Sequence, residues 1–128
     1  MNTKDKGDIS EAMILARLLQ LGKKVAIPFG ENHRYDLLID DDGEFTRVQC
    51  KTARIHKGCV VFNARSTNAR ISTNYRGEAD LFIVYCPQIE KFYQVAVTVA
   101  AASIVTLRLE ATKNNQESGV KYARDYEL

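Results

Sequence analysis

No stretch of this chain approaches the roughly 20 consecutive apolar residues that span a bilayer. Its first ten residues, MNTKDKGDIS, contain no apolar core of the kind a secretory signal carries. Both absences predict a cytoplasmic protein that does not engage a membrane. Cysteine is scarce: Cys50, Cys59 and Cys86 are an odd set without CxxC or Cys/His spacing, which argues against a disulfide framework and against a structural zinc site. The two histidines, His33 and His56, are not placed like the paired ligands of a zinc hydrolase. The most informative absence is of acid, because from Phe45 to Gly77 there is no Asp or Glu at all. That window holds seven basic residues, Arg47, Lys51, Arg54, Lys57, Arg65, Arg70 and Arg76, whereas the remainder carries 11 basic against 16 acidic residues. The overall charge of +2 conceals this asymmetry. A run of one sign is often only a solvated face. Here it is interleaved with Asn63, Ser66, Thr67, Asn68, Ser72, Thr73, Asn74 and Tyr75, side chains suited to phosphate and base-edge contacts, and a polyanionic partner follows.

What is present suffices for one core. A chain of 128 residues with 45% apolar content predicts a single domain over residues 1–128. An opening helix is expected with Asp8 as its cap and Glu11 three residues on as in a capping box, its apolar spacing running through Ile9, Ala12, Met13, Leu15, Ala16 and Leu19 until Gly22 ends it. Lys24 to Pro28 reads as a strand. Arg34 to Ile39 and Glu44 to Lys51 read as the arms of a hairpin across the acidic turn Asp40-Asp41-Asp42-Gly43. Phe45, Val48 and Cys50 are the apolar members of the return arm, and alternation puts Arg47, Gln49 and Lys51 together on the face opposite Val48 and Cys50. Cys59 to Asn63 predicts another strand, Ala64 to Gly77 an irregular polar insert, and Asp80 to Cys86 a buried central strand that turns back through Lys91 to Val97. The order predicts an α/β fold, a central mixed sheet of about five strands with the N-terminal helix laid on it.

Within that frame one group of residues suits phosphodiester chemistry. Hydrolysis needs a nucleophilic water and neutralisation of charge developing on the phosphate, and carboxylates holding Mg²⁺ meet both demands. Asp36 lies on one hairpin arm while Gln49 and Lys51 share a face of the other, so the three can approach a common point. Asp36 would be the principal metal ligand, Gln49 a neutral oxygen ligand, the Cys50 backbone carbonyl a further one, and Lys51 the group that positions water. Each residue also has a plainer reading: a strand-edge charge for Asp36, a wet strand face for Gln49 and Lys51, a capping box for Glu11.

The order Lys6-Gly7-x-x-x-Glu11, Tyr35-Asp36-Leu37 and Val48-Gln49-Cys50-Lys51-Thr52 resembles the PD-(D/E)XK nucleases. The phrases GENHRYDLLID, RVQCKTAR, VVFNARST, DLFIVYCP and VTLRLEATKNNQESGVKYARDY extend the similarity to the cyanobacterial group I intron homing endonucleases of this fold, from about Lys6 to Tyr126. The resemblance implies the restriction-endonuclease-like core and a catalytic set of Glu11, Asp36, Gln49 and Lys51, with Glu11 as the acidic residue on the opening helix. Gln49 stands where the motif has an acid, which removes a negative charge from the metal site, although the branch it resembles also uses Gln there. Resemblance and charge together place DNA contacts between Arg54 and Arg76, at Arg54, Lys57, Arg65, Arg70, Asn74, Tyr75 and Arg76, with Asn32 and His33 near the scissile region.

The expected function is therefore a sequence-specific double-stranded DNA endonuclease using Mg²⁺, or Mn²⁺ in its place, in intron homing. Because one site cuts one strand, a homodimer or homotetramer is expected. Two alternatives stand beside it: a Holliday junction resolvase or repair nuclease of the same fold, and a DNA-binding protein that has lost catalysis.

Overall fold

In a computed structural model of the protein, residues 1–30, 32–68, 71–73, 75, 77–100, 103–110 and 119–128 are described, those at 66–68 and 71–73 by their backbone. Helix α1 (Thr3–Gln20) is followed by strands β1 (Lys24–Ala26), β2 (Leu37–Asp41), β3 (Glu44–Thr52), β4 (Arg54–His56) and β5 (Cys59–Asn63). Then come β6 (Ser66–Asn68), β7 (Ile71–Thr73), β8 (Leu81–Cys86), β9 (Lys91–Ala96), β10 (Ile104–Arg108) and a 3₁₀ turn, Ala123–Asp125.

The helix begins six residues earlier than its composition predicts. Asn2, a cap as good as Asp, accepts the Asp5 N–H on its side-chain oxygen at 2.8 Å, and Asp8 lies inside the helix. Glu11 is therefore two turns into α1 and forms no capping box. The buried stripe is also rotated from the expected one. Ser10, Ile14 and Leu18, spaced by four, face the sheet, while Ile9, Met13 and Leu19 are 44%, 39% and 56% exposed. Both stripes have helical spacing, and the sheet takes the one led by Ile14 and Leu18, which pack with Leu37, Ile39, Val48 and Ile83.

The expected hairpin forms between β2 and β3, in antiparallel register from Leu37 opposite Val48 to Asp41 opposite Glu44. Asp42 and Gly43 have φ of 52° and 91°, the left-handed pair of a type I′ turn, whose twist matches that of the strands. The central sheet runs β1-β2-β3-β8-β9, antiparallel except for the parallel pair β3 and β8, so it is mixed and five-stranded as predicted. Strand β8 is buried on both faces and sorts its side chains by alternation. Ile83 and Tyr85 join the core under α1. Phe82, Val84 and Cys86 join the opposite core.

That opposite core is closed by a second sheet, β10-β5-β4, which local sequence does not predict. It supplies Val60, Phe62, Val105 and Leu107 to the core. The strand Cys59–Asn63 thus pairs with a segment some 40 residues later, Ile104–Arg108, and not with the central sheet. The insert expected to be irregular carries the β6–β7 hairpin, in register from Ser66 opposite Thr73 to Asn68 opposite Ile71. Arg47 locks the start of β8 to β3: its Nη2 and Nε donate to the Asp80 carboxylate at 3.0 and 3.1 Å, and its Nη1 to the Gly77 carbonyl at 2.9 Å. One cation of the acid-free run is thereby committed to the fold.

The rotated stripe is testable in a pair of variants. Ile14→Ala should cost about 2–5 kcal/mol and Met13→Ala under about 1 kcal/mol, read from urea unfolding midpoints. Equal losses would mean that α1 presents a different face.

Candidate active site

Three elements bring the candidate residues together. Asp36 lies one residue before β2, where the chain is already attached to β3: its N–H donates to the Val48 carbonyl at 2.7 Å, and its carboxylate accepts the Cys50 N–H at 2.9 Å. Both ends of the residue are thus held by the return arm. In the parallel pairing with β8, Gln49 lies opposite Phe82 and Lys51 opposite Val84, while Cys50 lies opposite Ile83. Gln49 and Lys51 therefore share the face away from α1, and Cys50 packs into the core beneath the helix.

Asp36 is the group that both sides of the sheet share. Its carboxyl is held above the usual carboxylate value, chiefly by burial, against the opposing effects of the Cys50 N–H and of the Lys51 cation. Glu11, from the helix side, is also raised, by burial first and then by the negative charges of Asp36 and Asp8. Burial, with the same two carboxylates adding to it, drives the Cys50 thiol far above its ordinary value, so it stays neutral. A cleft of about 220 Å³ opens beside the two acids and is lined also by Asn32, His33, Tyr35 and the Ile27–Pro28 turn. Gln49 and Lys51 do not line it.

The donor set suits a hard divalent cation. Two partly buried carboxylates raised by desolvation, one of them also by its neighbour's charge, would be relieved by a positive ion beside them. Among the described residues no three of His, Cys, Asp and Glu gather in one place. Mg²⁺ takes one or two carboxylates and completes its shell with neutral oxygens. The Gln49 amide nitrogen donates to the Cys50 carbonyl at 3.3 Å. For both oxygens to face an ion, this amide must turn over.

Lys51 is more firmly held than its place on a strand suggests. Its Nζ donates to the Arg65 carbonyl at 3.3 Å and to the Tyr75 hydroxyl at 3.2 Å, and it lies 4.8 Å from the centre of the Tyr75 ring. Tyr75, expected at the DNA surface, is instead only 5% exposed. It packs edge-on against Phe82 and beneath the Arg34 guanidinium, which is 4.4 Å from the ring centre. Polar neighbours in the sequence conceal an aromatic that belongs to the core.

The other expected DNA contacts are scattered. Arg54 on β4 and Lys57 in the β4–β5 turn are exposed, and Arg65 is half-buried. Asn32 and His33 border the cleft, and the His33 Nε2 lies 2.6 Å from the Phe29 carbonyl. Arg70, Asn74 and Arg76 lie outside the described residues. No helix of the described chain is long and apolar enough to cross a membrane.

A mixed sheet with one helix laid on it, and an acid pinned beside a Gln-x-Lys strand, define a nuclease fold, and the chain belongs to the PD-(D/E)XK endonuclease family, whose profile matches residues 1–128. The solved structure of a bacterial homing endonuclease, I-Ssp6803I, is similar to it: 26% identical, with a TM-score of 0.79, the match covering 99% of this chain and 89% of that one. Comparison with curated proteins finds no match. Family and fold are thus those expected from the sequence.

The raised carboxyl of Asp36 has a consequence for stability. A group whose folded value lies above its unfolded value binds its proton more tightly in the folded chain, so metal-free stability falls as pH rises through that interval and stays reduced above it. Asp36→Asn retains an oxygen for the Cys50 N–H and removes the charge. It should raise the thermal midpoint of the metal-free protein at neutral pH and flatten the decline between acid and neutral pH. A lowered midpoint would show the charged carboxylate to be stabilising.

Proposed function

We propose that this chain, folded as one domain over residues 1–128, is a sequence-specific endonuclease of double-stranded DNA that uses Mg²⁺, with Mn²⁺ as a substitute, and serves intron homing. The observation that carries the reading is the attachment of Asp36 to the Cys50 N–H at 2.9 Å, between Gln49 and Lys51 and within the electrostatic reach of Glu11. The similarity to a bacterial homing endonuclease supports the finer part of it.

In this reading Asp36 and Glu11 hold the cation, joined by the Gln49 side-chain oxygen and the Cys50 carbonyl. When bound, the ion supplies a Lewis acid for the phosphate and lowers the pKa of water toward neutrality. The chain's own groups do the rest. Lys51 has three N–H donors, of which two are used by Arg65 and Tyr75, and the third remains to orient the attacking water and face the charge gathering on the phosphate. Burial around Asp36 strengthens these interactions, since charges act over a lower effective dielectric there. Arg54 and Lys57, exposed on the edge strand of the second sheet and its turn, and Asn32 and His33 at the cleft are the described residues proposed to meet DNA. Each chain has one such site, so cutting both strands calls for a dimer or tetramer.

Incubation with a randomised duplex library and Mg²⁺, followed by sequencing of cut ends, should return one long site cut by the parent. Lys51→Ala should slow that cut on the order of 10²-fold or more, with DNA binding retained. Cleavage of four-way junctions in preference to every duplex would favour a junction-resolving enzyme. Binding without cleavage under either metal would favour a catalytically silent DNA-binding protein. Arg54→Ala and Lys57→Ala should each lower the slope of log K against log salt by about 0.9. Unchanged slopes in both would put the DNA on another surface.

A further inference from the structure

The Lys51 ammonium is gripped from both ends of one hairpin. The Arg65 carbonyl, which accepts at 3.3 Å, immediately precedes β6, and the Tyr75 hydroxyl, which accepts at 3.2 Å, follows two residues after β7. Neither contact is local in sequence, being 14 and 24 residues from Lys51. We infer that Tyr75 is a positioning residue for Lys51, so that the base of the β6–β7 hairpin sets where the lysine of the proposed site stands. The inference rests on the endonuclease reading and adds to it a residue that the PD-(D/E)XK pattern does not contain.

Three features make Tyr75 suited to this task and unsuited to touching a substrate. It is only 5% exposed, so its hydroxyl does not reach a ligand in solvent. Its ring is fixed by an edge-on contact with Phe82 at 5.6 Å and 88°, and Phe82 is fully buried in β8. Phe82 lies opposite Gln49 in the register, and the next pair on that face is Lys51 with Val84. The anchor and the residue it holds are therefore built on neighbouring strands of one sheet. The ring also faces the cation itself, with the ammonium 4.8 Å from its centre, an attraction that acts along with the hydroxyl bond.

A lysine carries four rotatable bonds, and holding its end in one place costs side-chain entropy. Two acceptors and an aromatic face supply that restraint before substrate arrives, which leaves the remaining N–H directed by the first two. Loss of the hydroxyl should therefore slow the chemical step and leave docking alone.

Tyr75→Phe is the decisive variant because it keeps the ring, its packing on Phe82 and its contact with both cations. Its thermal midpoint is compared with the parent's to verify that the fold is retained. In single-turnover cleavage, the maximal rate should fall on the order of tenfold, with the half-saturating protein concentration and the metal-free affinity for DNA within twofold of the parent. In ¹⁵N-detected spectra of the lysine ammonium groups, a signal protected from water exchange, assigned by its loss in Lys51→Ala, should be present in the parent and lost in Tyr75→Phe. A parental cleavage rate in Tyr75→Phe, or a loss that appears in DNA affinity, overturns the inference. So does retention of the protected ammonium signal. Absence of duplex cleavage by the parent, with the ammonium signal still dependent on the Tyr75 hydroxyl, would overturn the endonuclease reading and leave only the contact, which separates the two failures.

Discussion

The attachment of Asp36 to β3 is the constraint on which the rest of the site depends. The residue gives its N–H to Val48 and takes the N–H of Cys50 on its carboxylate, so backbone groups of one strand hold it at two points. A carboxylate fixed by main-chain bonds needs little further restraint from its own rotamer, and a hydrogen bond to a charged group is worth roughly 1.5–3 kcal/mol. Because the hairpin register is set by a type I′ turn and by Leu37 facing Val48, the position of this acid relative to Gln49 and Lys51 is determined by the fold itself.

Around that fixed acid the charges do not balance within the chain. Burial holds Asp36 and Glu11 above the usual carboxylate range, Glu11 lies in the fields of Asp36 and Asp8, and the Lys51 cation acts on Asp36 in the opposite sense. A protein selected for stability alone would replace such a pair with amides. Charge held at a cost to the metal-free fold is characteristic of functional sites, and in the proposed site a divalent ion would relieve it. The neutral Gln49 fits this reasoning: with Glu11 already raised by the charge of Asp36, a third carboxylate would raise the metal-free cost further, whereas an amide oxygen would still serve as a ligand in the proposed site.

The β2–β3 hairpin, the mixed five-stranded sheet, the buried β8 and the Gln49–Lys51 face were legible in the sequence because each follows from a period of two or from a turn within a few residues. The start and rotation of α1 were not. Asn2 and Asp8 are equivalent caps, and Ile9-Met13 competes with Ile14-Leu18 as a helical stripe, so only the sheet that receives the helix decides. The second sheet was hidden for a different reason: β5 is completed by β10 across some 40 residues, a pairing that no local pattern encodes. Tyr75 combines both difficulties. Its neighbours are polar, and its partners Lys51, Phe82 and Arg34 come from elsewhere in the chain.

This division follows the layers of the molecule. The helix layer brings Glu11, the central sheet brings Asp36, Gln49 and Lys51, and the far side brings Tyr75 and the Arg65 carbonyl that hold the lysine. A catalytic pattern read along a strand can specify only the middle layer, since its spacing of two is a property of that strand. The outer layers reach the middle one from opposite directions, Glu11 meeting Asp36 by charge and Tyr75 meeting Lys51 by contact, and neither has a sequence spacing that links it to the strand. The second sheet is therefore more than a cover for Phe82 and Val84. By closing the core on which Tyr75 rests, it also secures the anchor of the lysine, so that packing far from the acids bears on where the proposed chemistry takes place.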